Sequence, residues 1–354
     1  MSRFLCQKYA DLVPYVPGEQ PKDTKYIKLN TNESPFKPSK KAVAGAKKVS
    51  KSLNLYPDPT CSNLIEIMAK TFSVNKDQII LGNGSDEILN YIFLAYCDCQ
   101  KRAVFADITY GFYSVQADLL KVPYEKIPLK EDFTIDVKDY FKANGTVFIA
   151  NPNAPTGIDL PLEDIEKILN ANEDNIVVID EAYVDFGGQS AVKLIDKYDN
   201  LIVVQTFSKS RSMAGARLGM AFANPKLIAD LNAIKYCINP YNVNKMTMCA
   251  GVGVMLDQEY TLSNCKKIME TRAWTVSNLE RLGFTVLSSK ANFVFAKHVS
   301  VSGQTLYERL KEQGVLVRHF TSDRIKDFNR ITIGTKKQMK KLIEILENVL
   351  KESL

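Results

Sequence analysis

The feature that most constrains this chain is an alternation of short apolar runs with amphipathic helical patterns between about residue 60 and residue 250. The apolar runs, rich in β-branched residues, cover 78–81, 102–107, 146–150, 175–180, 201–206 and 218–223. Helical patterns between them include 86–95, 162–169 and 225–235. Strands that are apolar on both faces and separated by helices predict an α/β fold around a mostly parallel, buried sheet.

The pattern changes after residue 250. A long amphipathic stretch, 258–282, ends at Gly283, a residue that commonly stops helices. The remaining strand patterns cover 284–287, 292–296, 315–318 and 330–333, with helices at 302–313 and from 336 to about 351. Separate runs of this kind predict a smaller α+β domain. The first 40 residues hold five prolines and no periodic pattern, so we expect an arm over 1–40, a large domain over 41–250 and a small domain over 251–354.

Composition excludes several classes of protein. The 46 basic and 40 acidic residues give a net charge of +6, without the clustered excess of a nucleic-acid binder. No apolar run approaches the roughly 18 to 20 residues of a membrane helix, and residues 1–8 carry no signal-peptide core. We therefore expect a cytoplasmic protein that binds neither nucleic acid nor membrane. Seven scattered cysteines and only two histidines also argue against a metal site.

Two loops follow predicted strands and carry glycine or proline. In the first, Gly82 and Gly84 allow a tight turn into a helix that begins near Ser85 and Asp86. Free backbone N–H groups at such a terminus can hold a phosphate, although a plain turn with an N-cap has the same sequence. The second loop, 151–157, contains Asn153 and lies where open α/β sheets bind their ligands; it could also be merely a turn.

Two further strand ends carry ionisable groups. Asp180 closes a fully apolar run and Tyr183 follows three residues later; a buried carboxylate requires a cationic partner unless Asp180 only caps the next helix. Lys209 follows another apolar run, and desolvation with a neighbouring cation would make its amine nucleophilic. Arg217 lies eight residues further on, and with the hydroxyl groups of nearby residues it could hold a phosphate. The alternative for Lys209 is an exposed loop lysine.

Common nucleotide-binding motifs are absent from the sequence. No G-x-x-x-x-G-K-[ST] segment occurs, and Gly251 and Gly253 are followed by Leu256 where a third glycine is needed.

A carboxylate, a Schiff-base lysine and a phosphate-binding cup, in this order, are what pyridoxal 5′-phosphate (PLP) requires.

These segments resemble the fold-type I, class I/II PLP-dependent aminotransferases and, among them, the histidinol-phosphate aminotransferases. The resemblance extends from about Leu29 to Gly334. Motifs that carry it are LNTNESPF at 29–36, YPDP at 56–59, TYGFY at 109–113, PYNVN at 240–244 and RITIGT at 330–335. It implies a large PLP-binding domain and a small domain, with the arm joining the small domain and a homodimer with shared active sites.

The resemblance also implies roles for cofactor-binding residues. Lys209 matches the lysine that forms a Schiff base with PLP and moves a proton between the substrate Cα and C4′. Asp180 matches the partner of the pyridine nitrogen, and Tyr183 matches a donor to O3′. Tyr110 would stack on the ring. The phosphate cup would consist of Ser85, Asp86, Thr206, Ser208 and Arg217, with Tyr56 reaching the phosphate from the other subunit.

One position departs from the family pattern. The asparagine that contacts O3′ just before Pro-Thr-Gly is replaced here by Ala154. Asn153, one residue earlier, is the candidate to replace it; otherwise Tyr183 alone contacts O3′.

Two arginines match substrate-binding positions of the family. Arg330 resembles the arginine that grips the glutamate α-carboxylate, and it would accept the phosphate of histidinol phosphate. Arg318 resembles a second anion-binding arginine, although a salt-bridged strand residue is the alternative. The imidazole end of the substrate is expected to be lined by Asn32, Glu33, Tyr241 and Asn242.

The resemblance predicts transamination between histidinol phosphate and 2-oxoglutarate, giving imidazole acetol phosphate and glutamate in histidine biosynthesis. Two alternatives share the lysine, the aspartate and the phosphate cup. One is an aminotransferase that prefers aromatic amino acids. The other is a threonine-phosphate decarboxylase of the same fold, which differs chiefly in the Cα bond that lies perpendicular to the ring.

Overall fold

The computed structural model describes residues 2–21 and 26–353. Its strands are β1 Ile27–Lys28, β2 Ile79–Gly82, β3 Arg102–Ala106, β4 Tyr124–Ile127, β5 Gly145–Ala150, β6 Val177–Asp180, β7 Leu201–Thr206, β8 Gly219–Ala223, β9 Phe284–Val286, β10 Phe293–His298, β11 Val315–Leu316, β12 Arg318–His319 and β13 Asn329–Thr332. Its α-helices are α1 Lys40–Val49, α2 Ser62–Phe72, α3 Ser85–Tyr96, α4 Phe112–Leu120, α5 Leu162–Ala171, α6 Pro225–Ile238, α7 Lys245–Met255, α8 Gln258–Arg281, α9 Gly303–Glu312 and α10 Lys336–Ser353.

The larger sheet has the strand order β2-β8-β7-β6-β5-β3-β4. Strands β3 to β7 run parallel to one another, whereas β8 is antiparallel to both β2 and β7. Every residue of β5, β6 and β7 is buried, because helices cover both faces of the sheet. The predicted α/β fold with a mostly parallel central sheet is confirmed.

Side chains of each central strand alternate between two hydrophobic cores. In β6, Val177 and Ile179 pack with α2, α5 and α7, and Val178 packs with α3, α4 and α6 on the opposite face. Because strands β3 to β7 run in the same direction, their carboxyl ends all lie at one edge of the sheet. At that edge β6 ends with Asp180 and β7 ends with Thr206.

A smaller antiparallel sheet has the order β12-β13-β10-β9. It packs with α8, α9 and α10 around a third core, centred on residues such as Phe293 and Leu342. The end of the N-terminal segment joins this part of the chain, because β1 pairs with β11 and Thr332 N–H donates to the Leu29 carbonyl at 2.9 Å.

The two glycines that failed the nucleotide-binding pattern lie inside α7. Helix α7 crosses α1 so closely that a Cβ on Gly253 would lie 2.4 Å from the Lys41 carbonyl carbon, and one on Gly45 would lie 2.3 Å from the Cys249 carbonyl oxygen. Gly45 and Gly253 therefore allow backbone-to-backbone packing of these two helices.

Among the described residues, no helix combines the length and apolar composition needed to cross a membrane.

Candidate active site

A cavity of about 430 Å³ opens at the carboxyl edge of the larger sheet. The side chains at the ends of β5, β6 and β7 form its floor, and residues of the N-terminal segment form part of its wall. The lining consists of Gln20, Thr31, Glu33, Ser85, Asp86, Tyr110, Ala150, Pro152, Ala154, Asp180, Ala182, Tyr183, Thr206, Ser208, Lys209, Ala214, Gly215 and Arg217. Most of the residues that the motifs predict to bind the cofactor thus lie together.

Lys209 projects into this cavity from the loop after β7. Its ammonium donates to the Thr31 carbonyl at 3.3 Å and lies 5.8 Å from the centre of the Tyr183 ring. Neither of these two contacts involves a carboxylate, although Glu33 and Asp180 line the same cavity. Once the ammonium has lost a proton, the amine can attack an incoming carbonyl group.

Asp180 is almost completely buried at the floor. One carboxylate oxygen, Oδ2, accepts a hydrogen bond of 2.9 Å from Tyr113, and the other, Oδ1, has no partner among the described residues. Burial raises the pKa of Asp180 to about 6, although the Tyr113 hydrogen bond opposes that shift. An unpartnered acceptor facing a cavity is suited to a cationic N–H group, as a protonated pyridine nitrogen would supply.

A cup for an anion lies at the opposite end of the cavity, where α3 begins. Arg217 pairs with Asp86 at 3.0 Å and contacts Ser208 Oγ at 3.5 Å. A Cβ on Gly84 would lie 2.4 Å from Arg217 Nη2, and the φ of Gly84 is +82°, so only glycine fits this turn. The helix N-terminus, the guanidinium and the hydroxyl groups of Ser208 and Thr206 provide the donors that a phosphate needs.

The carboxylate of Asp86 organises this end of the site. It accepts a hydrogen bond of 2.8 Å from the Tyr110 hydroxyl as well as the Arg217 contact. Tyr110 thereby stands in the cavity wall with its ring edge against Tyr113, at 5.6 Å between ring centres.

The side chain of Asn153 is engaged by residues outside the cavity lining. Its amide oxygen accepts from Thr109 at 2.8 Å, and its amide nitrogen donates to the Ile108 carbonyl at 2.9 Å and to Thr156 at 3.1 Å. The contacts with Thr109 and Ile108 tie the loop to the segment after β3, and the contact with Thr156 lies within the loop. Asn153 is not among the residues that line the cavity, whereas Ala154 is.

Arg330 and Arg318 lie directly opposite each other on the antiparallel strands β13 and β12. Arg330 donates to the Asn30 carbonyl at 3.2 Å, and its Nε has no hydrogen-bond partner in the part of the chain that the structure describes. Arg318 donates to the Val16 carbonyl at 3.3 Å. Burial lowers the pKa of Arg330. Among the ion pairs of the described residues, neither arginine meets a carboxylate. Neither arginine is among the residues that line the cavity beside Lys209, and Arg318 lines a separate cavity with Glu19 and His319. Two like charges placed directly opposite each other would be stabilised by an anion bound between them.

The predicted residues at the imidazole end lie in different places. Glu33 lines the cavity and pairs with Lys28 at 2.7 Å. Asn32 is buried behind Tyr183 instead of lining the cavity. Asn242 is also buried, and its amide nitrogen donates to the Glu87 carboxylate at 2.6 Å.

Tyr241 and Tyr56 lie together on the surface, outside the cavity lining. Their rings stack with centres 4.5 Å apart, and Tyr56 is 79% exposed. Within this chain neither ring reaches the cavity.

Sequence reasoning assigned no role to Tyr113, or to Ser210 and Arg211 directly after Lys209. Tyr113 lies three residues after Tyr110 at the start of α4, a helical spacing that could have indicated a shared face. Asp185 accepts hydrogen bonds from Ser210 and, at 2.9 Å, from the buried Arg211. The segment that carries Lys209 is therefore fastened to the segment that carries Tyr183.

The chain is similar to known proteins over most of its length. The family model for class I and II aminotransferases matches residues 24–346. A histidinol-phosphate aminotransferase of Brachyspira hyodysenteriae is 48% identical, with alignment over 99% of this chain and 100% of that protein. The crystal structure of the histidinol-phosphate aminotransferase from Clostridium acetobutylicum has a TM-score of 0.84 and 26% identity, covering 92% of this chain and 99% of that one. The enzyme of the same name from Sinorhizobium meliloti, solved with pyridoxal-5′-phosphate, has a TM-score of 0.86 and 22% identity over 93% and 92% of the two chains.

Proposed function

This chain belongs to the class I and II aminotransferases, and we propose that it transfers an amino group between histidinol phosphate and 2-oxoglutarate. The products are imidazole acetol phosphate and glutamate, and the reaction is a step of histidine biosynthesis. The extent and identity of the match to histidinol-phosphate aminotransferases support this assignment. The observation that carries it within the structure is the opposed pair Arg318 and Arg330, because histidinol phosphate, glutamate and 2-oxoglutarate are all anions.

The cofactor is PLP, and the residues of the cavity fit it. When bound, PLP supplies an electron-withdrawing ring that acidifies the Cα proton of the amino substrate. Asp180 Oδ1 would accept the pyridine N–H, in keeping with the lack of a hydrogen-bond partner for this buried oxygen among the described residues. Ser85, Thr206, Ser208 and Arg217 would hold the phosphate, with Asp86 holding Arg217 in place.

The chain's own groups then have distinct tasks. Asp180 keeps a proton on the pyridine nitrogen, because its buried carboxylate is stabilised by a facing cation. Lys209 Nζ attaches the cofactor and afterwards moves a proton to and from the substrate Cα. Tyr183 donates its hydroxyl proton toward O3′, and Tyr110 bounds the ring face.

On the substrate side, Arg330 would bind the phosphate of histidinol phosphate and, in the other half-reaction, the α-carboxylate of glutamate. Arg318 adds a second cation on the same sheet. A guanidinium can bind either group with two parallel hydrogen bonds, so the two half-reactions can share one site.

Removing the arginines should affect substrates unequally. Arg330→Ala is expected to lower kcat/KM for both histidinol phosphate and glutamate by roughly ten- to a hundredfold, since a charge-assisted hydrogen bond contributes about 1.5–3 kcal/mol. Arg318→Ala should reduce kcat/KM for histidinol phosphate more than for phenylalanine, whose side chain is uncharged. Steady-state kinetics with the three amino donors test this.

Arg309→Ala is the matched control, because this arginine pairs with Glu312 on the exposed face of α9. If Arg318→Ala lowers kcat/KM equally for phenylalanine and histidinol phosphate, Arg318 has a structural role. That result would support the alternative that the enzyme prefers aromatic amino acids. Release of CO₂ from threonine phosphate by the wild type would instead support the decarboxylase.

We also propose a homodimer with shared sites, in which residues 41–250 and 251–354 form two domains and the arm of residues 1–40 contributes to the contact. Its support is the exposed apolar surface of the single chain, which includes Phe4 at 80%, Val13 at 70% and Tyr56 at 79% exposure. The absence of Tyr56 from the cavity of its own chain is consistent with a site in the partner.

Complementation between inactive variants tests the shared site. If Tyr56 serves the partner's cofactor, a hybrid of Lys209→Ala with Tyr56→Ala subunits has one site with both residues intact. Random mixing should then restore up to about a quarter of the wild-type sites at limiting PLP, since half the dimers are hybrids and each regains one of two sites. Absence of recovery, despite subunit exchange verified by mass spectrometry, would mean that each site is built from one chain.

A further inference from the structure

Asn32 occupies an unusual position behind Tyr183. It is 1% exposed and has a φ of +57°, in the left-handed region that a non-glycine residue rarely adopts. Its amide nitrogen donates to the Tyr183 hydroxyl oxygen at 2.9 Å. A strained, fully buried residue with such a contact is held there by the surrounding structure.

The hydrogen bonds of Thr332 fix the orientation of the Asn32 amide. The Thr332 hydroxyl oxygen accepts from the Asn32 backbone N–H at 3.0 Å, and the same hydroxyl donates to Asn32 Oδ1 at 2.9 Å. Since the amide oxygen is thus directed at Thr332, the amide NH₂ is directed at Tyr183. Asn292 secures the backbone by donating to the Asn32 carbonyl at 2.9 Å.

This arrangement determines where the Tyr183 proton points. A phenol that accepts a hydrogen bond from one side directs its own O–H elsewhere, and the ring of Tyr183 lines the cavity beside Lys209. The donated bond also polarises the hydroxyl and makes it a stronger donor. Neither position 153 nor position 154 offers a second donor here, because residue 154 is alanine and the Asn153 amide is engaged with Ile108 and Thr109.

We infer that Asn32 is a positioning residue that aims the Tyr183 hydroxyl proton at O3′ of the cofactor. The inference rests on the proposed function, since it takes PLP as the occupant of the cavity. Thr332 lies two residues after Arg330 on β13, so the same hydrogen-bonded chain connects the cofactor tyrosine with the substrate-binding strand.

The experiment measures the pKa of the Schiff-base nitrogen from the visible absorbance of the PLP-bound protein as a function of pH. A hydrogen-bond donor to O3′ stabilises the cofactor most when the Schiff-base nitrogen is unprotonated. In that state the O3′ phenolate has no neighbouring N–H⁺ to stabilise its charge. Weakening the donor should therefore raise that pKa. We expect increases of roughly 0.5 to 1 unit in Asn32→Gly and at least as much in Tyr183→Phe.

Glycine is the matched replacement, because it keeps the left-handed backbone and the bond from the residue 32 N–H to Thr332. Asn32→Asp provides a second variant of the same size, in which an acceptor replaces the donor and draws the Tyr183 proton away; its shift should exceed that of Asn32→Gly. The charged groups that line the cavity, Glu33, Asp86, Asp180, Lys209 and Arg217, are unchanged in each variant. Arg330, which interacts electrostatically with Tyr183 from β13, is also unchanged. The double variant of Asn32→Gly with Tyr183→Phe should show only the Tyr183→Phe shift.

A wild-type pKa in folded Asn32→Gly or Asn32→Asp, alongside a shifted Tyr183→Phe, would overturn the inference. Additive shifts in the double variant would also overturn it, because Asn32 would then act independently of Tyr183. Failure of the proposed function has a different signature, namely wild-type protein that forms no visible band with PLP or does not react with histidinol phosphate.

Discussion

Lys209→Ala should bind PLP through the phosphate cup and yet lose both the visible band of the Schiff base and turnover. The loss of rate should be roughly 10³-fold or more, the scale on which enzymes depend on a covalent nucleophile. The amine is the one group in the cavity that can both attach the cofactor and carry a proton at Cα, so no neighbour can replace it. Absorbance spectra and single-turnover kinetics measure the two losses.

Chemical labelling provides the independent check on Lys209. Borohydride reduction of the wild type, followed by peptide mapping, should place the reduced cofactor on this lysine. Lys197→Ala is the control, because that lysine lies on the surface and pairs with Glu166. A label on any other lysine would contradict the assignment.

Asp180→Asn should lower kcat by about 10²-fold or more, as removal of a single preorganised electrostatic group does in other enzymes. Asparagine keeps the shape of the side chain but has no charge to hold a proton on the pyridine nitrogen. A loss of less than about threefold, equivalent to under ~0.7 kcal/mol of barrier, would mean that Asp180 has only a structural role.

The pH dependence of cofactor affinity gives a second measurement on Asp180. In the cofactor-free chain burial raises its pKa to about 6, so below that pH the carboxylate is protonated and must ionise when the pyridine N–H arrives. The affinity of the wild type for PLP should fall as the pH drops below 6, and the Asp180→Asn profile should be flatter. Glu181→Gln is the control, since this buried neighbour bonds Ser190 and Gln205, away from the cavity.

The sequence predicted the sheet and the strand-end residues well, for a physical reason. An apolar run that ends at Asp180 or Thr206 indicates both that the strand is buried and where it ends. Parallel strands place such ends side by side at one edge of the sheet. Strand direction is less evident, because an antiparallel strand such as β8 has the same fully buried pattern as its parallel neighbours.

Side-chain direction was the part that the sequence could not supply. Asn32 is positioned by Tyr183 and Thr332, which are 151 and 300 residues away in the chain. Asn242 is held by Glu87, 155 residues away. Asn153 is held by Thr109 and Ile108, which are 44 and 45 residues away. Such choices depend on tertiary neighbours that no local pattern encodes.

The attachment of the Lys209 segment to Asp185 limits how the amine can move. Before the lysine, Ser208 N–H donates to Thr206 Oγ1 at 3.1 Å; after it, Ser210 and Arg211 bond the same carboxylate oxygen of Asp185. With the backbone restrained on both sides, travel of the nitrogen between cofactor and substrate must come from rotation about the bonds of its own flexible side chain. The lysine side chain thus carries the proton from a fixed backbone position. Its four methylene groups, and not loop motion, determine how far the nitrogen can reach.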